Sequence, residues 1–284
     1  MNIRLISLLA IPFVLSGCNF DEDFCIRDGE LIAYAQFEDA EQYIPPYERR
    51  FVRAYGFGSD TLQTAFSQDT LRWKIPQGKY DFIFYTGNYF LVNSENYHES
   101  YLSVKTDTID NEVKISEELQ RCYTSLFNAE LKYQQPVRQM LQPTSFTQRL
   151  NIKLKLNGNY KPIEKLHATL TGAATGKYLV SNNKVGLAEH TTTFKQVSEN
   201  VWITTINTFG FVSSADNIFT LYIEMSGEDA IFNESQKIDL SPYLKDFNDI
   251  EKSLEMEIGV GSEIVIEEPI TIPEWEDNPE IILP

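Results

Sequence analysis

Residues 149–157 read RLNIKLKLN, and this stretch decides the fold class. Its apolar residues occupy every second position, and polar residues fill the positions between them. A period of two is typical of a β-strand that buries one face and exposes the other, because successive side chains point to opposite sides. The apolar residues are Leu150, Ile152, Leu154 and Leu156. This is the most regular strand pattern in the chain.

Further strand patterns surround this one at a spacing of about ten residues, with turn residues between them. They are Leu31 to Phe37, Phe51 to Phe57, Leu71 to Ile75, Tyr80 to Tyr85, Tyr123 to Tyr133, Leu166 to Leu170, Val201 to Phe211, Phe219 to Met225 and Leu254 to Ile258. Such spacing is typical of β-sandwiches. Pro76-Gln77-Gly78 predicts a hairpin turn, and so does the small-residue run from Gly172 to Gly176. Helical signals are limited to Ser241 to Phe247 and a turn at Ile115 to Leu119.

A polar segment with two prolines, residues 134–145, separates the strand-rich halves. We place a domain boundary there, because linkers have this composition. The predicted domains are residues 27–135 and residues 144–273, each an all-β sandwich. An acidic tail, residues 274–284, follows the second domain.

The N-terminus has the three parts of a signal peptide, predicted as residues 1–17. Arg4 supplies the positive charge, Leu5 to Leu15 the apolar run, and Ser16-Gly17 the small residues before cleavage. The apolar run is shorter than the roughly 20 residues that a membrane-spanning helix needs.

Cys18, directly after this signal, resembles the cysteine of the bacterial lipoprotein lipobox. The resemblance implies that Cys18 carries acyl groups such as palmitate, which anchor the chain in the outer membrane. The alternative is an ordinary secretory signal followed by a cysteine. Residues 18–26 form the predicted tether. Its acidic cluster, Asp21-Glu22-Asp23, is similar to the signal that sends lipoproteins of the Bacteroidetes to the cell surface. The alternative is a lipoprotein that faces the periplasm.

The charge balance excludes some partners. The chain has 41 acidic and 24 basic residues, for a net charge of −17. Nucleic acid is therefore excluded as an expected partner. Membrane attachment is expected from acyl chains, since so acidic a protein repels anionic headgroups.

Two cysteines besides Cys18 remain, Cys25 and Cys122. In an oxidising compartment they either form a disulfide or stay as two isolated thiols, and the sequence leaves both alternatives open. They provide no metal site of the Cys/His type, and we expect no metal and no cofactor.

Catalytic patterns do not emerge from the sequence. The three histidines, His98, His167 and His190, do not lie beside a serine or cysteine in a nucleophile pattern. We expect His167 to face solvent from a strand. The sequence therefore predicts a protein that is not an enzyme.

Trp73, Trp202 and Trp275 are candidates for sugar-stacking platforms. Core packing is the expected role of Trp73 and Trp202, whereas Trp275 lies in the acidic tail.

Several of these motifs together are similar to one family. Gly29 to Tyr34, then Leu71 to Ile75, then Pro76-Gln77-Gly78-Lys79-Tyr80 appear in that order, and residues 149–157 with 166–176 open the second half. The order resembles the fimbrial-anchor-related lipoproteins of the Bacteroidetes, which build type V fimbriae, or an uncharacterised sister lipoprotein family. The resemblance implies two tandem transthyretin-like β-sandwich domains and association of subunits by strand exchange.

The C-terminal region offers a candidate exchange strand, with alternating apolar residues around Pro269. These are Ile264, Ile266, Ile270 and Ile272. The alternative is that residues 263–272 complete their own sheet. Arg49-Arg50 is the single pair of adjacent basic residues in the chain. The resemblance implies that such a basic site would be cleaved in the subunits that form the shaft of a fimbria. We expect a loop there and an uncut chain.

Two functions follow as hypotheses. The first is a lipid-anchored surface protein that acts as a fimbrial anchor or assembly subunit through β-strand-mediated association, with fimbrial subunits as partners. The alternative is a surface glycan-binding lipoprotein of a nutrient-uptake system, with exposed aromatic side chains as its sugar contacts.

Overall fold

Almost all of the regular structure is β-strand, as the sequence predicts. The computed structural model describes residues 27–37, 50–56, 62–66, 70–115, 118–157, 163–226, 231–245, 247–259 and 265–267. Within these ranges there are 23 strands and one four-residue helix. No helix in the described part of the chain is long and apolar enough to span a membrane.

The strands of the first half, in chain order, are β1 Asp28–Ala35, β2 Arg50–Tyr55, β3 Leu62–Phe66, β4 Thr70–Pro76, β5 Gly78–Thr86, β6 Phe90–Val92, β7 Tyr101–Ser103, β8 Thr106–Ile109, β9 Glu112–Ile115, β10 Tyr123–Leu131, β11 Val137–Leu141 and β12 Thr144–Ser145. The second half continues with β13 Gln148–Asn157, β14 Ile163–Ala173, β15 Gly176–Tyr178, β16 Lys184–Val185, β17 Ala188–Thr193, β18 Lys195–Ser198, β19 Val201–Thr208, β20 Ile218–Ser226, β21 Ile231–Asp239, helix α1 Ser241–Leu244, β22 Glu251–Gly259 and β23 Val265–Glu267.

One buried core lies between two sheets of the first half. The three-stranded sheet has the order β11-β1-β4, and the five-stranded sheet has the order β12-β10-β5-β2-β3. Both contribute apolar side chains to one cluster, for example Leu31 from β1 and Phe82 from β5, each 0% exposed. This arrangement is a β-sandwich.

A larger core lies between two sheets of the second half. Their strand orders are β18-β19-β13-β22-β23 and β21-β20-β14-β17-β9-β8. The alternating residues of the 149–157 stretch face this core: Leu150, Ile152, Leu154 and Leu156 are all at most 1% exposed. The strand that the sequence predicts most clearly is thus a central strand, paired on both sides.

The two halves are interleaved by strand pairing and by packing. β9 of the first half pairs in parallel with β17, and β7 pairs with β15 in a four-stranded sheet of order β16-β15-β7-β6. Ile83 and Tyr85 on β5 belong to the larger core, whereas Phe82 and Phe84 on the same strand belong to the smaller one. The end of β5 is therefore buried on both faces.

Each of the ten strand segments predicted from the sequence contains a strand, and the predicted helix at Ser241 to Phe247 is present over Ser241–Leu244. The predicted helical turn at Ile115 to Leu119 is wrong: Ile115 ends a strand, and residues 118 and 119 have no helical structure.

Both predicted hairpins are also wrong. β4 pairs with β1, and β5 pairs with β2 and β10, so the turn at Pro76-Gln77-Gly78 carries the chain from one sheet to the other. The run from Gly172 to Gly176 likewise leads from the sheet of β14 to that of β15. Gly172 has a φ of +83°, which disfavours other residues, and it lies where the pairing of β14 with β17 shifts register.

The predicted linker is not a free connection. Within residues 134–145, β11 pairs in parallel with β1 and β12 pairs with β10. The last residue of β11, Leu141, is 1% exposed and lies in the smaller core. The domain bounds 27–135 and 144–273 stay a prediction.

Candidate functional site

The sheet edge formed by β22 and β23 is the candidate site, because the predicted exchange strand reaches it. β22 is a true core strand: Leu254, Met256 and Ile258 are at most 1% exposed and pack in the larger core. On its inner side β22 pairs in parallel with β13 along its whole length, from Arg149 opposite Glu251 to Asn157 opposite Gly259.

The solvent face of these two strands carries a ladder of opposite charges. Lys153 Nζ lies 2.8 Å from Glu255 Oε1, and Lys155 Nζ lies 3.4 Å from Glu257 Oε1. A hydrogen bond from Asn157 and the charge of Lys155 lower the pKa of Glu257. Side chains on these outward positions alternate with the core residues, so the ladder fixes the register of β22 against β13.

Among the described residues, the outer side of β22 is paired at three positions, all with β23. β23 pairs antiparallel with it, and the register partners are Glu255 with Glu267, Met256 with Ile266, and Glu257 with Val265. One of these three pairs joins two acidic residues. Within the described part of the chain, the edge therefore combines a well-packed core strand with a cover three residues long.

Of the four predicted exchange residues, the structure places Ile266 in β23, paired with its own chain. This pairing agrees with the alternative that the region completes its own sheet. Ile264, Ile270 and Ile272 lie outside the described residues, and so do Cys18, Cys25 and Trp275.

Cys122 lies deep between the two halves. It is fully buried, its amide N–H donates to Thr147 Oγ1 at 3.0 Å, and its Sγ donates to the Thr86 carbonyl at 3.3 Å. The disulfide with Cys25 stays a prediction.

The three histidines occupy separate environments. His98 is exposed, His167 is half-buried on a strand and stacks on Tyr222, and His190 is buried. Burial lowers the pKa of His190 to about 4. No group of three metal-ligating side chains occurs among the described residues.

The tryptophans pack as expected. Trp202 is 7% exposed in the larger core, and Trp73 packs edge-on against Phe82 of the smaller one, with ring centroids 6.4 Å apart. Trp202 is thus a core residue, and Trp73 is partly buried against the smaller core.

Arg50 is not in a loop, contrary to the expectation for the dibasic step. It begins β2, which pairs with β3 and β5, and it is 8% exposed. Its guanidinium lies 5.4 Å from the ring centroid of Phe37. The sequence analysis predicted a loop because Arg50 follows two prolines, Pro45 and Pro46, and lies between two strand patterns.

The charge ladder was also missed, although its signal is present in the sequence. Lysines at 153 and 155 and glutamates at 255 and 257 each alternate with core residues. The sequence does not show that these two strands pair in parallel, because the register partners are 102 residues apart.

No protein-family model and no curated protein matches the chain. Solved structures do. A candidate adhesin of Bacteroides ovatus has a TM-score of 0.54 at 13% identity, over 88% of this chain and 96% of that one. A candidate polysaccharide-binding protein of Bacteroides thetaiotaomicron has a TM-score of 0.53 at 9% identity, over 84% and 96%.

The fimbrial anchor protein Mfa2 of Porphyromonas gingivalis has a TM-score of 0.51 at 16% identity, over 86% of this chain and 98% of that one. Similarity at such low identity concerns the fold, and it extends over nearly the whole length of each neighbour. The chain therefore has the all-β fold of a group of structures that includes a fimbrial anchor protein, and at the level of fold this confirms its resemblance to fimbrial-anchor-related proteins.

Proposed function

We propose that this protein is a lipid-anchored surface protein that serves as a fimbrial anchor or assembly subunit, and that it binds its partner by β-strand pairing at the edge of β22. The observation that carries the proposal is the incomplete cover of this edge. A core strand of nine residues is paired on its outer side, in the described part, by three residues of β23.

An incoming strand would gain more than β23 now provides. Each additional backbone hydrogen bond contributes about 0.5–1.5 kcal/mol net, and a longer strand would pair along more of β22. Because Leu254, Met256 and Ile258 already define the core-facing positions, the incoming strand must alternate in phase with them. β-strand addition provides affinity through the backbone and specificity through such alternation.

The environment of Arg50 supports an anchor rather than a subunit that is cleaved before polymerisation. Cleavage after this residue would require a protease to open β2, which is paired on both sides. A chain that stays intact keeps its N-terminal attachment. That attachment is the acylated Cys18, with residues 18–26 as a tether from the outer membrane and the folded part at the cell surface.

A disulfide lock tests the use of this edge. In the double variant Glu257→Cys/Val265→Cys, the new cysteines are register partners across β22 and β23. Oxidation joins the two strands, and reduction releases them. The matched control is Lys195→Cys/Ile203→Cys, which joins β18 and β19 at the opposite edge of the same sheet.

We expect the oxidised β22–β23 lock to abolish capture of fimbrial subunits and reduction to restore it, with the control lock capturing normally in both states. Loss of capture in the control lock alone would place the partner at β18 instead. Normal capture by the oxidised β22–β23 lock would refute the proposal.

Glycan capture is the weaker alternative. It needs exposed aromatic faces grouped on one surface, and the indoles of Trp73 and Trp202 are both engaged in packing. Two exposed aromatic residues, Phe90 and Tyr133, lie in different sheets, on β6 and beside β1. The proposed role requires no catalytic group.

A further inference from the structure

Two lysines in the four-stranded sheet lie directly opposite each other, an arrangement that usually destabilises a pair of strands. Lys177 on β15 and Lys184 on β16 are direct register partners. Lys177 is also the register partner of Leu102 on β7, which is fully buried in the larger core. Directly opposite residues in a sheet project from the same face. Both lysines therefore point inward, toward the junction of the two halves.

Both ammonium groups are half-buried, and their observed acceptors are backbone carbonyls. Lys177 Nζ donates to the Phe146 carbonyl at 3.2 Å and lies 4.5 Å from the centroid of the same phenyl ring. Lys184 Nζ donates to the Phe211 carbonyl at 2.7 Å. An ammonium has three N–H donors, so each lysine retains donors beyond these contacts.

No carboxylate of the described residues forms an ion pair with either lysine, although the chain has 41 acidic residues. Burial lowers the pKa of both lysines, and for Lys177 the charge of Lys184 lowers it further. Like charges directly opposite each other are destabilising in an antiparallel pair. Among the described residues, the fold thus keeps two neighbouring positive charges without a carboxylate partner.

A buried acceptor stands beside this pair. Gln148 is 7% exposed, and its Nε2 donates to the carbonyls of Phe247 and Asp249, while its Oε1 has no hydrogen-bond partner. Both side chains approach the backbone of Gly210: a Cβ on this glycine, whose φ is +107°, would collide with Gln148 Oε1 and with the end of the Lys184 side chain. The amide oxygen and the ammonium therefore lie next to the same glycine.

We propose that Lys177 and Lys184 form a binding site for a carboxylate, and that Gln148 Oε1 accepts a hydrogen bond from a hydroxyl group adjacent to that carboxylate. The ligand class is a hydroxy acid, as in a sugar acid. The two carboxylate oxygens satisfy the two ammonium groups, and the hydroxyl satisfies the buried amide oxygen. A simple carboxylate satisfies only the first requirement.

The test uses the full-length mature protein with ¹³C-labelled lysine, and follows the side-chain Cε signals by NMR during titration. The probes are acetate, which has the carboxylate alone, glycolate, which adds the adjacent hydroxyl, and gluconate, which keeps that hydroxyl and adds the chain of a sugar acid. Lys177→Gln and Lys184→Gln assign the two signals. Lys195→Gln, at an exposed position on β18, is the matched control.

We expect acetate to shift both signals, and glycolate to bind at least threefold more tightly than acetate. Each lysine variant should weaken glycolate binding at least tenfold, while Lys195→Gln leaves it unchanged. Gln148→Leu should remove the preference for glycolate without removing acetate binding. Tighter binding of gluconate than of glycolate would identify a sugar acid, and equal binding of the two would identify a small hydroxy acid.

The variants are expected to fold, because removing one of two like charges relieves repulsion. Circular dichroism melting should show each lysine variant within a few degrees of the parent. Shifts at Lys177 and Lys184 no larger than at Lys195, or glycolate binding that survives both lysine substitutions, would overturn the proposal. None of these outcomes depends on the β22–β23 lock, so the two proposals fail independently.

Discussion

The burial of His190 beside the larger core makes the stability of the protein depend on pH. It lies on β17 opposite Leu170, is 4% exposed, and has a pKa lowered to about 4 by burial, which a backbone contact with Thr191 offsets only in part. In the unfolded chain a histidine titrates near 6.5. As the pH falls below 6.5, the unfolded state binds a proton that the folded state excludes, so stability decreases until the pH reaches about 4.

We therefore predict that His190→Leu is less sensitive to acid than the parent protein. Between pH 7.5 and pH 5.0, the parent should lose about 2 kcal/mol more unfolding free energy than the variant, as measured by urea denaturation. The carboxylates also make stability fall with falling pH, but they do so equally in both proteins. The difference between parent and variant therefore reports His190. His98→Gln, at an exposed position, should follow the parent. Parallel pH profiles for parent and His190→Leu would contradict the prediction.

Arg50 provides a second prediction for a single residue. Because its peptide bond lies in a strand paired on both sides, an arginine-specific protease should not cut after Arg50 in the folded protein. N-terminal sequencing of the digest is the measurement, and urea-unfolded protein, which should be cut there, is the control. A fragment that begins at Phe51 under native conditions would indicate a processed subunit.

Strands are predictable where apolar alternation is strong and unpredictable where it is not. The 149–157 stretch was clear from sequence because its apolar residues alternate with polar ones. β5 was clear because apolar and aromatic residues follow a turn signal, and its end is buried on both faces. β18 was missed because all four of its residues are exposed, so no alternation marks it. The hairpins were predicted wrongly because a turn signal marks a change of direction, whereas the choice of partner strand depends on contacts distant in sequence. The pairing of β13 with β22 was not predicted for the same reason, because the two strands are distant in sequence.

The β22–β23 pair yields a prediction about a whole element. Glu255 and Glu267 are register partners, and opposite charges at such positions stabilise an antiparallel pair, so Glu267→Lys should strengthen the pair by about 0.2–1 kcal/mol. Amide hydrogen exchange at residues 255–257 should slow, and capture of a partner strand should slow with it. Glu267→Gln, which only removes the negative charge, should give an intermediate result. Faster capture by Glu267→Lys would mean that displacement of β23 is not part of binding.

The two cores predict how the whole molecule unfolds. Tyr85 of the first half lies in the larger core, and Lys114 of β9 pairs with Glu189 of β17 at 3.1 Å. Such interleaving makes independent unfolding of the halves costly, although the sequence suggested two domains joined by a linker.

Single-tryptophan proteins test this interleaving. With Trp275 replaced by Phe, one variant retains Trp73 in the smaller core and the other retains Trp202 in the larger core. We expect urea transitions that coincide within error. Leu154→Ala, which opens a cavity in the larger core and should cost about 2–5 kcal/mol, should move both transitions together. Two separate midpoints, or a shift of the Trp202 transition alone, would restore the two-domain prediction.

Strand pairing at the edge of β22 is the central claim, and the partner it captures is the most direct evidence. The measurement is affinity purification of the tagged, acylated protein from its native outer membrane, with denaturing detergent washes and mass spectrometry of what remains bound. The account predicts fimbrial subunits in a denaturant-resistant complex, absent when the oxidised β22–β23 lock is used as bait. A porin-like transporter, no partner at all, or fimbrial subunits retained equally by the locked protein would contradict it.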